Sequence, residues 1–172
     1  YTRPALLDFF LPARDSHAAA YYDWGTEKET QWKDNYRLWM AFVNEYKNRG
    51  GRVTAGADSG YMYNLYGFGY IQELELLREA GFHPMEVIQS ATLKAAEAIG
   101  MDRQIGTIEV GKYADMILMD QNPLKNLKYL YGTGDIKLNK NNEVVRVGGV
   151  NYTIKDGIIY DARKLLEDVK KI

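Results

Sequence analysis

The spacing of apolar residues predicts one long helix in the first third of the chain. From Thr26 onward, large apolar residues recur every three or four positions, which places them on one face of a helix. These residues are Trp32, Tyr36, Trp39, Val43 and Tyr46. The sequence NRGG at positions 48–51 ends the helix, because glycine readily takes the left-handed conformation that follows a helix. We expect the stripe, including Trp32 and Trp39, to pack in the core.

The segment after this helix alternates between two faces, as a β-strand does. Over Val53–Ala57 the odd-numbered residues share one face, and the even-numbered residues share the other face with Asp58. Two more helices are predicted over 70–80 and 84–100, because apolar residues again recur at helical spacing. Gly81 follows the first of these helices and Gly100 ends the second. The first part of the chain therefore combines helices with one short strand.

The pattern changes near residue 103, after which short apolar runs predict strands. Two short strands are predicted between Ile105 and Asp120, on either side of the turn Gly111-Lys112. The remaining predictions are strands over 144–147, 152–154 and 158–160, with a turn at Asp156-Gly157, and a helix over 162–171. We therefore divide the chain into an α/β part, residues 1–103, and a mostly β part, residues 104–172.

Composition and charge exclude several classes of function. The chain of 172 residues has 22 basic and 23 acidic residues and a formal net charge of -1, so it lacks the basic field that binds nucleic-acid phosphates. No apolar run approaches the ~20 residues of a membrane span. The absence of cysteine excludes disulfides and thiolate metal sites and fits a reducing cytoplasm. We expect a cytoplasmic protein that binds neither nucleic acid nor membrane.

The aspartate at the end of the predicted strand is the first candidate for chemistry. A helix that feeds a short strand and is followed by more helix is typical of a (β/α)8 barrel. In that fold the chemical groups lie at the carboxyl ends of the strands, and Asp58 stands at such an end. An aspartate there suits a turn or a helix cap equally well. The residues alone leave both roles open.

Two longer motifs give the chain a family resemblance. They are TAGADSG, residues 54–60, and GFHPMEVIQSATLKAAEAIGMDRQIGTIEVGKYADMILMDQNPLKNL, residues 81–127. Their order and spacing resemble the C-terminal part of the metal-dependent amidohydrolase superfamily, in the branch that includes imidazolonepropionase and the prolidase-like amidohydrolases. The tail TIKDGIIYDARKLL, residues 153–166, also resembles the closing strand and helix of that branch.

The resemblance implies both a fold and an activity. The fold is α/β: residues 1–103 would form the C-terminal portion of a TIM-type (β/α)8 barrel, with Val53–Asp58 as its last strand. Residues 104–172 would form part of a small β-sandwich domain with a closing helix. The implied activity is hydrolysis of a carbon–nitrogen bond in an amide, a cyclic amide or a dipeptide.

The resemblance also gives roles to the residues around Asp58. Asp58 matches the family's aspartate that ligates a divalent metal, commonly zinc, and takes a proton from metal-bound water. A metal lowers the pKa of bound water towards ~7, where a nearby carboxylate can accept the proton. Ser59 and Gly60 lie next to this ligand, and we expect them to contact the substrate. Tyr61 and Tyr63 suit either a substrate pocket or a packing lid, and both roles stay open.

The other ligands of the family's metal site are not found in this sequence. They are an H-x-H pair, a lysine or glutamate and two further histidines, whereas this chain has two histidines in all. We expect His17 to lie in a surface loop and His83 either to cap a helix or to serve as a packing residue just before Pro84. Asp115 and Asp120, which bracket an apolar run, are expected to end turns.

We therefore expect a C-terminal fragment that carries one ligand of a larger site and is inactive alone. The cofactor would be a divalent metal, zinc by the resemblance, in the full-length protein, and none is expected on this chain by itself. Expected partners are a small-molecule or dipeptide substrate, the missing N-terminal part of the same protein, and further copies in a homo-oligomer, because a truncated barrel leaves apolar faces uncovered.

Two other classes of function remain as alternatives. The chain could be a non-catalytic binding or assembly module that completes a partner chain. A flavodoxin-like regulatory domain with Asp58 as phosphoacceptor is a weaker alternative, because the second half is rich in β structure and alternating βα units do not precede Asp58.

Overall fold

The computed structural model describes residues 4–11, 13–15, 19–60 and 64–171. The α-helices are α1 (Pro4–Phe10), α2 (Thr26–Asn48), α3 (Gly69–Glu79), α4 (Pro84–Ala91), α5 (Leu93–Ala98) and α6 (Ala162–Val169). The strands are β1 (Met116–Leu118), β2 (Asp135–Leu138), β3 (Val144–Val147), β4 (Tyr152–Lys155) and β5 (Ile158–Asp161). Short 3-10 helices cover Ala19–Tyr21 and Leu127–Leu130.

The predicted helices are present, but one of them is divided. Helices α2, α3 and α6 begin within one residue of the predicted positions. The helix predicted over 84–100 is wrong as a single element, because it breaks at Thr92 into α4 and α5. Thr92 has the non-helical angles φ -126 and ψ -86, and its hydroxyl donates a hydrogen bond to the Ile88 carbonyl over 2.7 Å. Such back-bonding by threonine bends or interrupts helices.

The predicted strand Val53–Asp58 is wrong as a sheet element, although its two faces are confirmed. The segment has no strand assignment, and every pair of strands in the described residues is antiparallel and lies after residue 115. A strand requires a neighbouring strand to accept and donate its backbone hydrogen bonds, and the described residues supply none beside this segment. Val53 and Ala55 nevertheless pack against the core, while Thr54, Gly56 and Asp58 are exposed.

The second half forms two small antiparallel sheets. One has the strand order β1-β4-β5 and the other pairs β2 with β3. Asp156 and Gly157 connect β4 to β5 with φ of 50° and 80°, the positive values that a tight hairpin turn requires. Of the two strands predicted between Ile105 and Asp120, only β1 forms, so the prediction is wrong for the first of them.

A lysine organises the segment that was expected to be that missing strand. The Lys112 ammonium donates to the Asp102 carbonyl over 2.7 Å and also to the Thr107 hydroxyl. The Tyr113 amide donates to the Gln104 carbonyl over 2.8 Å. These bonds close the segment into a compact loop that folds back on itself instead of pairing with a neighbouring strand.

The hydrophobic core joins the two halves of the chain. Its buried members are Leu74, Leu77, Phe82, Val87, Leu127 and Leu130. The last two belong to the 3-10 helix after β1, so the mostly β part completes the core of the helical part. The Tyr131 hydroxyl also donates a hydrogen bond of 2.7 Å to Glu75 on α3. The division at residue 103 stays a prediction.

The aromatic face of α2 is exposed, which contradicts the expectation that Trp32 and Trp39 lie in the core. No residue of α2 is buried, and Trp39 and Phe42 are 54% and 68% exposed. Trp32 packs instead against the rings of Trp24 and Trp39, at centroid distances of 5.8 and 6.1 Å. A helical stripe shows which residues share a face but not what covers that face. The expected homo-oligomer and the packing against a missing segment stay predictions.

The result is a mixed α/β arrangement in which helices α1–α5 precede the strands along the chain and α6 follows them. Within the part of the chain that the structure describes, no helix has both the length and the apolar character needed to cross a bilayer.

Candidate functional site around Asp58

Asp58 stands in a conformation that few side chains adopt. Its φ is +46°, in the left-handed region that aspartate and asparagine tolerate better than other non-glycine residues. The residue is exposed, and its carboxylate forms no hydrogen bond or ion pair with another described residue. Asn142 and Asp156, the other non-glycine residues with positive φ among those described, lie in hairpin turns. Asp58 instead ends the segment whose Val53 and Ala55 pack against the core.

Asn64 connects the backbone on both sides of Asp58. Its side-chain amide donates to the Ala57 carbonyl, and its Oδ1 accepts a long hydrogen bond of 3.4 Å from the Ser59 hydroxyl. Its own carbonyl accepts a bond of 2.7 Å from the Gly60 amide. The sequence prediction missed this residue. The available signal was an asparagine within a glycine-rich stretch, because asparagine commonly bonds to nearby backbone in turns.

Two glycines make room for this arrangement. A Cβ on Gly69, the buried first residue of α3, would overlap Asn64 Oδ1 and lie 2.8 Å from Ser59 Oγ. Gly60 has φ +103°, and a Cβ there would overlap the Tyr66 hydroxyl. Glycine accepts both the close approach and the positive φ at low steric cost. The glycines of the motif region therefore shape the turn after Asp58.

The structure brings some of the predicted site residues together. Ser59 and Gly60 follow Asp58 directly and are half-buried, so they remain candidates for substrate contact. Tyr61 and Tyr63 lie outside the described residues, as does His17. The predicted roles of Asp58, Ser59, Gly60, Tyr61 and Tyr63 stay predictions.

His83 has the capping position that the sequence predicted. It is the residue before α4, and its backbone N–H donates to Glu86 Oε2 over 2.7 Å. Glu86 also accepts a hydrogen bond of 2.6 Å from Lys47 on α2. The bond from Lys47, together with that from the His83 backbone, lowers the pKa of the Glu86 carboxyl. This cluster joins α2 to α4 and lies apart from Asp58 in the chain.

Asp115 and Asp120 are used within the β part of the chain. Asp115 accepts hydrogen bonds from the Lys155 side chain and, at 2.8 Å, from the Asp156 amide, which ties it to the hairpin between β4 and β5. The bond from Lys155 lowers the pKa of the Asp115 carboxyl. Asp120 lies 3.4 Å from Arg163 at the start of α6. Both carboxylates therefore have structural partners.

The donor groups that the structure describes are spread out and do not gather into a metal site. No group of three or more histidine, cysteine, aspartate or glutamate side chains converges among residues 4–11, 13–15, 19–60 and 64–171. Zinc usually takes three or four protein ligands. The described residues around Asp58 therefore do not form a complete metal centre on their own.

Comparisons with known proteins give the chain its family. The model of the Amidohydrolase family matches residues 39–159. The chain is 35% identical over 98 residues to 5'-deoxyadenosine deaminase of Methanobrevibacter smithii. This alignment covers 55% of this chain and 21% of that protein. The chain is 40% identical over 68 residues to imidazolonepropionase of Shouchella clausii, covering 39% of this chain and 15% of that protein.

Solved structures agree with the sequence comparisons. The structure of a putative prolidase from Bifidobacterium longum superposes with a TM-score of 0.55 at 26% identity, over 73% of this chain and 29% of that one. The match spans about a fifth of the length of the first curated relative and less of the second. The family model covers more than half of the 172 residues and includes Asp58, so the chain belongs to the amidohydrolase family.

Proposed function

We propose that the protein is a metal-dependent amidohydrolase that hydrolyses a carbon–nitrogen bond in an amide, a cyclic amide or a dipeptide. The observation that carries the proposal is the position of Asp58. It lies inside the family match, and its exposed carboxylate has no partner among the described residues. The relatives named imidazolonepropionase, deaminase and prolidase support hydrolysis at carbon–nitrogen bonds as the class of reaction.

Asp58 is the proposed proton acceptor. A carboxylate beside the attacking water can accept its proton and pass it to the leaving nitrogen. Exposure makes Asp58 accessible to both groups. Asp115, by contrast, already accepts hydrogen bonds from the Lys155 side chain and the Asp156 amide, so its carboxylate serves the hairpin.

Members of the amidohydrolase family generally use a divalent metal, which polarises the attacking water. Zinc is the proposed metal here, with Asp58 as one ligand. The described residues do not complete the site, so the other ligands would come from residues outside them. We infer from this that the chain works as part of a longer protein and lacks activity by itself.

The proposed substrate side of the site follows Asp58 in the chain. Ser59 and Gly60 are the adjacent residues, and Tyr61 and Tyr63 come next. Aromatic side chains beside a few polar groups are typical of small-molecule sites. This composition supports a small molecule or a dipeptide as the substrate.

The proposal is tested by Asp58→Asn in the full-length, metal-loaded protein, with Asp156→Asn as the matched control. Both aspartates are exposed and have positive φ of 46° and 50°, so the backbone cost of each substitution is similar. Turnover is measured on a panel of cyclic amides, dipeptides and aminopurine nucleosides. We expect kcat to fall by at least ~10²-fold for Asp58→Asn and to stay unchanged for Asp156→Asn. Equal turnover in the two variants would remove Asp58 from the mechanism.

A further inference from the structure

The backbone around Asp58 needs a restraint that Asp58 itself does not supply. A left-handed φ is unfavourable for any residue with a Cβ, and such a conformation persists only where the surroundings enforce it. The Asp58 side chain has no hydrogen-bond partner among the described residues, so it does not hold its own turn. The restraint must come from the neighbouring groups.

The groups that flank Asp58 all bond to one residue. Ala57 precedes Asp58, and its carbonyl accepts a hydrogen bond from the Asn64 side-chain amide. Ser59 and Gly60 follow Asp58, and they donate to Asn64 through a hydroxyl and a backbone amide. Asn64 is therefore hydrogen-bonded to both ends of the turn but not to the carboxylate.

This set of bonds requires a side chain that donates and accepts at the same time. The carboxamide does so, because its nitrogen carries donors and its oxygen is an acceptor. A carboxylate in the same place has two acceptor oxygens and no donor, so it would be repelled by the Ala57 carbonyl oxygen. Gly69 supplies the space, since any side chain there would collide with Asn64 Oδ1.

We propose that Asn64 is the positioning residue of the site: its side chain fixes the left-handed turn at Asp58 and so sets the direction of the carboxylate. The inference rests on the proposed function, in which that carboxylate accepts a proton. A displacement of about 1 Å in a reacting group lowers rates by up to ~10²-fold. Loss of the Asn64 amide is thus expected to lower kcat far more than it changes substrate binding.

The test compares Asn64→Asp with Asn139→Ala in the full-length, metal-loaded protein. Asn139 is a suitable control because its Oδ1 also closes a turn, by accepting from the Asn141 and Glu143 amides at 2.8 and 3.0 Å in the β2–β3 hairpin. We expect Asn64→Asp to lower kcat at least tenfold with KM changed less than about twofold. Asn139→Ala is expected to leave kcat unchanged even where it lowers the melting temperature.

A second variant covers the case in which Asn64→Asp does not fold. Asn64→Ser introduces no charge and replaces the two polar atoms of the carboxamide by one hydroxyl on a shorter side chain, which cannot take the places of both Nδ2 and Oδ1. It is therefore expected to show the same fall in kcat. Hydrogen exchange of the Gly60 amide, which donates to the Asn64 carbonyl, gives a readout that does not depend on activity. It is expected to accelerate at least tenfold in either folded variant.

The outcomes separate this inference from the proposed function. If Asp58→Asn is inactive while folded Asn64→Asp and Asn64→Ser keep kcat within about twofold, the positioning role is wrong and the proposed function stands. If Asp58→Asn retains full turnover, the proposed function is wrong, and the positioning role fails with it. A fall in kcat for both Asn64 variants, with Asn139→Ala active, is the result that the inference predicts.

Discussion

The hydrogen bond between Tyr131 and Glu75 offers a direct test of how the two halves of the chain are joined. The Tyr131 hydroxyl donates to Glu75 Oε2 over 2.7 Å, and the Tyr131 ring lies 5.9 Å from the ring of Phe68. Tyr131→Phe removes the hydroxyl and keeps the ring contact. The change therefore isolates one bond between α3 and the segment before β2.

The expected cost follows from the partners of this bond. A hydrogen bond to a charged group contributes about 1.5–3 kcal/mol, and both side chains are only partly buried. We expect Tyr131→Phe to lower the free energy of unfolding by about 1–2 kcal/mol, near the low end of that range. With a slope of about 2 kcal/mol/M in urea, the midpoint would fall by about 0.5–1 M.

Tyr129→Phe is the matched control. The Tyr129 hydroxyl accepts a hydrogen bond of 2.8 Å from Lys137 on the exposed surface, so the same substitution there is expected to change stability by less than about 0.5 kcal/mol. Both variants are compared by urea unfolding followed by fluorescence and circular dichroism. Equal midpoints for the two variants would refute the claim that Tyr131 links the halves.

The stabilisation by the Tyr131–Glu75 hydrogen bond should decrease at high pH. Burial, together with the hydrogen bond to Glu75, raises the pKa of the Tyr131 phenol. The folded state then holds this proton more tightly than the unfolded state, so the stabilisation is present below the ordinary pKa of 10.0 and is lost as pH rises above it. The stability difference between wild type and Tyr131→Phe should shrink above that pH.

Three further predictions concern the core, an ion pair and metal content. Phe82 is fully buried and Phe42 is 68% exposed, so Phe82→Ala should cost about 3–5 kcal/mol, whereas Phe42→Ala should stay within about 0.5 kcal/mol in the same unfolding assay. Because the pKa of Glu86 is lowered, its pairing with Lys47 stabilises the fold above the ordinary pKa of 4.5, and this stabilisation is lost as pH falls below that value. The melting temperatures of wild type and Glu86→Gln should therefore converge at low pH. A difference in melting temperature that stays constant with pH would contradict the pairing. Elemental analysis of this chain, purified without added metal, should find well under one zinc per chain, and stoichiometric zinc would show that ligands had been overlooked.

The sequence predicted the elements whose causes are local. Helix α2 begins at Thr26 and ends at Asn48, as predicted. Its apolar spacing and the glycines that follow it are signals contained in the segment and its immediate neighbours. The β4–β5 hairpin follows from Asp156-Gly157, whose positive φ values need no distant partner. The cap at His83 was likewise predicted from the adjacent Pro84.

The sequence did not predict the structural features that depend on groups distant in the chain. Val53–Ala57 alternates like a strand, yet the described residues contain no partner strand for it. Trp32 and Trp39 share a face, but nothing in the pattern indicates what covers that face. The hydrogen bonds of Asn64 on both sides of Asp58 form only because Gly69 lies against the Asn64 side chain without a Cβ. The spacing of residues in the sequence does not encode this close approach.

The central claim is that the Asp58 carboxylate accepts a proton during hydrolysis, and chemical rescue tests it most directly. Asp58→Gly removes the carboxylate at an exposed position and suits the backbone, because glycine readily takes a φ of +46°. The measurement is turnover of this variant, in the full-length, metal-loaded protein, with increasing formate. We expect a loss of at least ~10²-fold that formate restores at least tenfold in a saturable manner, since a small carboxylate can replace the missing acceptor. Turnover that stays near the wild-type level without formate would contradict the claim.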